Sequence, residues 1–446
     1  QADTRPTAAP HEWQAGRHGV DLALSTGAYR AALDALFART TGQWKLGLER
    51  VEGFLHELGD PHQRLPIIHI AGTNGKGSVC ASLETVLRRQ GFRVGTYTSP
   101  HLVDYRERFR IDGAPIDEAP IFDFLERWTP RVETLGVTFF EATTAMGFQL
   151  FADAQVDIAV IETGLGGRLD ATNGVRPLVA GVTSIGFDHM EWLGETLPQI
   201  AREKAGIFKA GVPAIVGELD LAVRRVLAEE AAHRGAAPVR IVAEEGEATA
   251  ILVTAAGTRF RWQGLEVATG LAGHHQVANA LVTLTMLDAL PAPFDVPRKA
   301  AVAALAEVRL AGRFSRQGCW IFDVAHNPAG AAVTAETLRA VSPPGPLVAL
   351  VSVLGDKDWR GILRALAPVV HGFLLTNAPT APTSRAWVAS EALAFARGEG
   401  WRAELEPDFD RALARAPSMG ETILVTGSFH TVGDAMARLP GSPATG

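Results

Sequence analysis

Cysteine is nearly absent from this chain. Among its 446 residues only Cys80 and Cys319 occur, far apart in sequence and outside any CxxC pair. The sequence therefore suggests neither a disulfide framework nor a thiolate zinc site, because each needs several cysteines at suitable spacing. This scarcity favours a reducing cytoplasm as the location of the protein.

The sequence also lacks a long hydrophobic run and an excess of positive charge. No segment approaches the roughly 18 apolar residues of a membrane span, and the opening residues contain no apolar stretch like that of a secretory signal. With 42 basic and 49 acidic residues the formal net charge is -7, which provides no broad basic surface for nucleic acid. We therefore expect a soluble cytoplasmic protein that binds neither membranes nor nucleic acid.

The beginning of the chain has little hydrophobic periodicity. Residues 1–25 are rich in Ala, Pro, Thr and Gly, a composition typical of a loose tail. The sequence contains no internal repeat. Its length and its 47% hydrophobic content are sufficient for at least two buried cores.

Short apolar runs alternate with helical stretches from about residue 65. The apolar runs are "LPIIHIAG", "FRVGTYTS", "VDIAVIETG", "LVAGVTSIG" and "VPAIVGE". This alternation predicts an α/β fold with a parallel sheet covered on both faces. The segment "RIVAEEGEATAILVTAAGTRFRWQG" shows β-branched alternation without a helix, and predicts a small antiparallel patch.

The alternation restarts after "LAEVRLAGRF". The runs "CWIFDVAHNPAG", "PLVALVSVLG", "GFLLTNAP" and "TILVTGSFHTVG" predict a second, smaller doubly wound domain. We therefore divide the chain into residues 1–309 and 310–446, with a hinge near Arg309. Ligands of such open sheets bind beyond the carboxyl ends of the strands, so two sheets can face each other across a cleft.

A glycine-rich loop joins the first predicted strand to a helix. It consists of Gly72, Thr73, Asn74, Gly75, Lys76, Gly77 and Ser78. Successive backbone N–H groups and the helix N-terminus can converge on phosphate oxygens there, and Lys76 adds a positive charge. The spacing differs from the common P-loop, because two residues separate Gly72 from Gly75 and Gly77 separates Lys76 from Ser78. An ordinary glycine-rich turn is the alternative interpretation.

Polar side chains follow two further strands of the same predicted sheet. Glu162 lies near the end of "VDIAVIETG", and His189 follows "LVAGVTSIG". Both can converge on one magnesium ion bound to phosphates. The alternatives are a Glu162–Arg168 ion pair and a hydrogen-bonded structural histidine. A nicotinamide enzyme is disfavoured, because Leu169 stands where the last glycine of GxGxxG is required.

Four other polar residues are candidates for the site. Lys204 lies near a predicted helix end, where a lysine normally snorkels and offsets the helix dipole. In "DVAHNPAG", Asp323 follows a strand, and His326 and Asn327 lie in the next turn, well placed for sugar hydroxyls or a phosphate. A helix N-cap is the alternative role for Asp323 or Asn327.

Ordered motifs over about residues 46 to 434 resemble the folate-conjugating branch of the Mur ligase superfamily. They are "LGLERV", "AGTNGKGS", "TSPHL", "YRERFRIDG", "ETGLGGRLDATN", "TSIGFDHMEWLG", "REKAGIFK", "GRF", "DVAHNP" and "GSFHTV". The short loop spacing is itself the form found in that superfamily. The resemblance implies a Mur-ligase-like α/β fold, with a P-loop-bearing N-terminal ATPase domain and a smaller C-terminal domain.

The activity implied by the resemblance is ATP-dependent amide ligation. L-glutamate would be joined to dihydropteroate and to folates through an acyl phosphate, with ATP and two Mg²⁺ ions as cofactors and the chain acting as a monomer. Folylpolyglutamate synthesis alone is the narrower alternative. The motifs "TSPHL" and "GLGGRLDATN" argue against a cell-wall ligase, and the absence of a guanine-reading NKxD motif argues against a nucleotide switch.

The resemblance also implies a role for individual residues. Lys76, His189 and Lys204 would be catalytic, and Lys204 would be carbamylated. The implied magnesium ligands are Ser99, Glu162 and His189. Nucleotide contacts would come from residues 72–78 and from Asn279, Arg313, Asp323 and His326.

The folate substrate would contact two segments, which we call the pteroate segments: Thr138, Phe139, Phe140 and Glu141, and Leu169, Asp170 and Ala171. Ser428, like His326, is a weaker candidate for the phosphate or glutamate side. The chain departs from the family where Lys45 replaces an acid that often precedes "LGLER". The neighbouring Trp44 could provide a substrate contact in place of that acid by stacking on a ring, or it could pack in the core.

Overall fold

The computed structural model describes residues 22–39 and 47–439. Trp44 and Lys45 lie outside these residues, as does the predicted tail up to residue 21. The first helix begins at Leu22, so it starts within the segment expected to be a tail. None of the described helices is long and apolar enough to cross a membrane.

The larger sheet has eight strands, six of them parallel. Their order is β4-β3-β2-β5-β1-β6-β7-β8, in which β3 runs antiparallel to β2 and β4 antiparallel to β3. This confirms the predicted parallel sheet. The strands are β1 Ile67–Ala71, β2 Val94–Tyr97, β3 Phe109–Ile111, β4 Ala114–Pro115, β5 Ile158–Glu162, β6 Val179–Val182, β7 Ala214–Val216 and β8 Val239–Ile241.

Helices cover both faces of this sheet, because its central strands are apolar on both sides. Ile68 and Ile70 of β1 face one core, and Ile67 faces another. The helices of this half are α1 Leu22–Phe37, α2 Glu49–Glu57, α3 Lys76–Arg89, α4 Glu118–Thr134, α5 Phe139–Asp153, α6 Met190–Leu193, α7 Leu197–Ala205, α8 Leu221–His233, α9 His275–Asp288 and α10 Arg298–Leu305.

The predicted antiparallel patch is present, but it begins later than expected. It comprises β9 Thr249–Thr254, β10 Gly257–Trp262 and β11 Leu265–Thr269. Placing "RIV" in this patch was wrong, because Arg240 and Ile241 belong to β8, which pairs in parallel with β7. A three-residue strand has too little periodicity for its partner to be read from sequence.

The C-terminal sheet confirms the expected second doubly wound unit. Its order is β12-β13-β17-β14-β15-β16, and only the edge strand β12 is antiparallel. The strands are β12 Ser315–Gln317, β13 Trp320–Phe322, β14 Leu347–Val351, β15 Gly372–Leu375, β16 Ala403–Leu405 and β17 Thr422–Thr426. The helices are α11 Pro328–Val341, α12 Trp359–Leu366, α13 Ala389–Gly398, α14 Phe409–Arg415 and α15 Phe429–Arg438.

The end of α7 is packed tightly against the loop that follows β5. The Arg168 N–H donates to the Glu203 carbonyl at 2.8 Å, and the Asn173 amide donates to the carbonyls of Arg168 and Gly206. A Cβ added at Gly206 would clash with the Arg168 backbone. This close approach sets the position of Lys204, two residues before Gly206.

Gly206→Ala should therefore destabilise the protein by about 1–3 kcal/mol, because the extra methyl overpacks this contact. Gly53→Ala, in α2, is the matched control. A Cβ at Gly53 meets no atom within 4 Å, so that change should stabilise by about 0.5–1 kcal/mol. Chemical denaturation measures both variants, and equal stability of the two would contradict the packing argument.

Candidate active site

One cleft lies between the two sheets and has a volume of about 1700 Å³. Every residue to which the family resemblance assigns a role lines this cleft, whereas the further candidate Asn327 does not. The strand order of the larger sheet explains why some of these residues lie together. The strands β5, β1 and β6 are parallel neighbours, so the loops that follow them meet at one edge.

The phosphate loop, residues 72–78, is held in place by neighbouring loops and by α9. The Thr183 hydroxyl donates to the Asn74 carbonyl at 2.6 Å. Gly72 and Gly75 both have positive φ, 152° and 90°. A Cβ at Gly72 would clash with Thr183, and one at Gly75 with Asn279. Only glycine fits these two positions.

Lys76 begins α3 and folds back over the phosphate loop. Its Nζ donates to the carbonyls of Gly72, at 3.0 Å, and Thr73, at 3.3 Å. The same atom lies 3.9 Å from Glu162 Oε1. A positive charge is thus placed beside the helix N-terminus, which favours anions at this point.

Glu162 ends β5 and is buried. Its Oε2 accepts a hydrogen bond from the Ser99 N–H at 3.1 Å. Burial raises the pKa of Glu162, although the charge of Lys76 opposes this. The alternative pairing with Arg168 is wrong, because the Arg168 guanidinium binds Glu203 at 3.0 Å.

His189 lies in the loop after β6 and pairs with its neighbour Asp188. The two side chains are 3.8 Å apart. Burial lowers the pKa of His189 to about 4, and the charge of Asp188 only partly offsets this. The described residues contain no group of three or more His, Cys, Asp or Glu side chains arranged for a metal. The magnesium set of Ser99, Glu162 and His189 therefore stays a prediction.

Asp188 links the two halves of the cleft. Its carboxylate lies 2.6 Å from Lys357 Nζ and 3.3 Å from His326 Nε2, both contributed by the C-terminal half. Burial alone would raise the pKa of Asp188, but the hydrogen bond from His326 and the charges of His189, His326 and Lys357 lower it below its usual value.

Lys204 is buried in the cleft, unlike a lysine that snorkels from a helix end. Its Nζ donates to the Gly72 carbonyl at 2.9 Å. Burial, together with the nearby charge of Lys76, lowers the pKa of Lys204 to about 7. A substantial fraction of this amine is therefore neutral near pH 7.

The nucleotide candidates of the C-terminal half surround Asp323. Its carboxylate accepts hydrogen bonds from Phe314 N, Ala325 N and the Thr334 hydroxyl. Burial raises the pKa of Asp323, and the charge of Arg313 opposes the shift. The N-cap alternative does not hold for Asp323.

Two other polar residues of the C-terminal half do cap helices. Asn327 caps α11 by accepting from the Gly330 N–H at 2.7 Å, and Ser428 caps α15 by accepting from the Thr431 N–H at 3.0 Å. The N-cap alternative is thus confirmed for Asn327. Ser428 lines the cleft as well.

The first pteroate segment begins α5. Thr138 and Glu141 form a capping box, and Glu141 also binds Arg50 at 2.9 Å. Phe139 stacks on Phe37 of α1, with ring centroids 5.3 Å apart. The segment therefore offers apolar ring surface supported by a fixed helix start.

Several residues that line the cleft were not identified as candidates from the sequence, among them Phe37, His101, Arg108 and Lys357. Lys357 follows strand β14, a position that could have identified it. Arg108 Nε donates to His101 Nδ1 at 2.9 Å, and its guanidinium lies 5.4 Å from the Phe139 ring centroid. Phe37 carried no sequence signal, because its contacts depend on the packing of α1.

Family models match both halves of the chain. The Mur ligase middle domain matches residues 70–287, and the Mur ligase glutamate ligase domain matches residues 309–429. The dihydrofolate synthase/folylpolyglutamate synthase of Escherichia coli strain K12 is 36% identical over 417 residues, which is 88% of this chain and 90% of the relative.

Solved structures show the same likeness. The Mycobacterium tuberculosis folylpolyglutamate synthase complexed with ADP and AMPPCP has a TM-score of 0.84 and 33% identity, covering 93% of this chain and 98% of that chain. The bifunctional folylpolyglutamate synthase/dihydrofolate synthase of Yersinia pestis complexed with AMPPNP and Mn ion has a TM-score of 0.77 and 35% identity, with coverage of 93% and 98%. The chain therefore belongs to the dihydrofolate synthase/folylpolyglutamate synthase family of Mur ligases and is an ATP-dependent ligase.

Proposed function

We propose that this chain joins L-glutamate both to dihydropteroate and to tetrahydrofolate polyglutamates. The observation that carries the proposal is the single cleft shared by the phosphate loop, the pteroate segments and Ser428. Its volume of about 1700 Å³ exceeds the roughly 300–1,000 Å³ of an ordinary ligand pocket. Nucleotide, pterin substrate and glutamate thus have room side by side.

The chemistry follows from the weak reactivity of a carboxylate. A carboxylate oxygen of the pterin substrate attacks the γ-phosphorus of ATP, and the bond to the β–γ bridging oxygen breaks to release ADP. The glutamate amine then attacks the acyl carbon of the acyl phosphate. Inorganic phosphate leaves, and the nitrogen loses a proton as the amide forms. Lys76 stabilises the negative charge that develops during phosphoryl transfer.

The residues near the phosphate loop fit a magnesium ion. Glu162 provides a buried carboxylate oxygen, and Ser99, whose N–H binds that carboxylate, lines the same cleft and carries a hydroxyl. Oxygen ligands are those that Mg²⁺ prefers. When bound, the ion neutralises phosphate charge. The Yersinia pestis relative was solved with Mn and AMPPNP, which supports ATP and a divalent metal for this chain.

We also propose that Lys204 is carbamylated. In carbamate formation the nitrogen of a neutral amine bonds to the carbon of CO2 and loses one proton, and the pKa of about 7 makes a neutral amine available. The product would be an anion close to the positive charge of Lys76. This reverses the charge at a buried position where two lysines otherwise repel each other.

The two halves of the cleft are proposed to be residues 1–309 and 310–446, hinged near Arg309 and acting within a monomer. Asp188 with Lys357 and His326 provides a contact that holds the halves together in this arrangement. Folylpolyglutamate synthesis alone is the second candidate. It rests on Lys45, which stands where the family often has an acid and lies outside the described residues.

Lys76→Ala should lower kcat by about 100- to 1000-fold without unfolding the protein, because it removes a preorganised charge at the phosphates. Glutamate-dependent ADP release measures the loss, and circular dichroism reports folding. Lys299→Ala is the matched control, since Lys299 is exposed and lies outside the cleft. A folded Lys76→Ala variant with normal kcat would remove the phosphate-loop assignment.

Lys204→Ala should lose activity, whereas Lys204→Glu should retain more because it restores a carboxylate at shorter reach. If the unmodified cation is required instead, Lys204→Arg will be the most active replacement. NMR of protein equilibrated with ¹³C-bicarbonate gives a readout independent of turnover: a carbamate signal is expected in the wild type and not in Lys204→Arg. Absence of that signal from the wild type, with Lys204→Arg most active, would exclude the carbamate.

Purified protein should consume ATP with glutamate and dihydropteroate, and separately with glutamate and tetrahydrofolate. Both substrates present a carboxylate to the same phosphoryl-transfer site, and Phe139 and Phe140 provide ring surface for either. Two controls give the background rate of ATP consumption: the reaction without glutamate, and the reaction of the Lys76→Ala variant. Activity with tetrahydrofolate but none with saturating dihydropteroate would reduce the function to folylpolyglutamate synthesis.

A further inference from the structure

Three buried side chains form a hydrogen-bonded line from the centre of the larger sheet to the edge of the cleft. His69 Nε2, on β1, lies 2.8 Å from the Thr172 hydroxyl. The Thr172 hydroxyl in turn donates to Asp170 Oδ1 at 2.6 Å. We call these three residues the His69 relay.

The direction of each hydrogen bond in the relay follows from proton counting. Asp170 accepts from four donors: the N–H and hydroxyl of Thr172 at Oδ1, and the N–H groups of Gly164 and Leu165 at Oδ2. Three of these donors are backbone N–H groups, which oppose the rise in the pKa of Asp170 caused by burial and favour its carboxylate form, and a carboxylate only accepts hydrogen bonds. The single hydroxyl hydrogen of Thr172 therefore points to Asp170, and His69 must donate from Nε2.

The other ring nitrogen of His69 agrees with this assignment. Nδ1 is buried and has no hydrogen-bond partner among the described residues. A bare lone pair is less costly there than an unsatisfied N–H group. Burial also lowers the pKa of His69 to about 3, so the ring is neutral.

The far end of the relay holds the backbone that supports both pteroate segments. Asp170 binds the N–H groups of Gly164 and Leu165 at 2.9 and 2.7 Å. Gly164 packs directly against the Phe140 ring, and an added Cβ there would clash with it. Asp170 and Phe140 line the cleft, whereas His69 and Thr172 do not.

We propose that His69 and Thr172 are positioning residues for the pterin-bearing substrate, acting through Asp170 and the Gly164–Phe140 contact. The inference rests on the proposed function, because it takes the pteroate segments as the pterin-binding end of the cleft. Neither residue touches the substrate. Their effect should therefore appear in substrate KM and leave the phosphate loop unaffected.

Thr172→Val and Thr172→Ser form the matched pair for a test. Valine keeps the shape and removes both side-chain hydrogen bonds, whereas serine keeps the hydroxyl. Thr172→Val should raise the KM for dihydropteroate about 10-fold, because it leaves the buried His69 N–H without a partner, with the KM for ATP within about twofold of wild type. Thr172→Ser should behave like the wild type.

His69→Gln and His69→Leu test the His69 end of the relay. They also provide a test of the proposal if Thr172→Val fails to fold. The glutamine amide can donate to Thr172, so it should restore the low KM that leucine loses. Equal KM values for dihydropteroate in the folded variants and the wild type, or an equal rise in the KM for ATP, would overturn the positioning role. Inactivity of the wild type towards dihydropteroate would instead overturn that part of the proposed function, and the same KM comparison would then use tetrahydrofolate.

The proton assignment has its own readout. In ¹⁵N-histidine-labelled protein, the signal lost in His69→Gln should be that of a neutral ring protonated on Nε2, unchanged between pH 8 and pH 5. A ring protonated on Nδ1, or one that titrates in this range, would overturn the relay even in an active enzyme.

Discussion

Two lysines share one backbone oxygen in this protein, and the site is organised around that contact. The Gly72 carbonyl accepts from Lys76 at 3.0 Å and from Lys204 at 2.9 Å. Two ammonium groups this close repel each other, and burial removes the water that would screen them. The arrangement therefore favours loss of a proton from the more deeply buried Lys204. It also requires Gly72 itself, because no side chain fits beside Thr183.

The second requirement is that the halves of the chain be brought together. The phosphate loop and Glu162 belong to the larger sheet, and Asp323 belongs to the smaller one. Asp188 bridges them by binding Lys357 and His326 across the cleft. This arrangement favours a reaction between anionic substrates, because cations from both halves face the same cleft.

Much of the fold was readable because the central strands are long apolar runs separated by helices. The exceptions are short or isolated elements. The strand Val239–Ile241 was assigned to the wrong sheet, since three residues carry no distinguishing period. Helix α1 begins at Leu22, earlier than the composition of residues 1–25 suggested. Glu162 was predicted as a site candidate from its strand end and lines the cleft. Its suggested partner Arg168 binds Glu203 instead, because ion pairing depends on how α7 packs.

The sequence by itself determined which residues could meet, because a parallel sheet brings the carboxyl ends of its strands to one edge. That rule placed the phosphate loop, Glu162 and His189 together, and family motifs added Lys204, which local reasoning assigned to a helix end. Only the tertiary structure decided the charge state and orientation of these groups. The depressed pKa of Lys204, the pairing of Asp188 with Lys357, and the tautomer of His69 depend on burial and on partners distant in sequence. The local sequence pattern does not indicate which polar groups lose contact with water on folding, or which side chains then surround them.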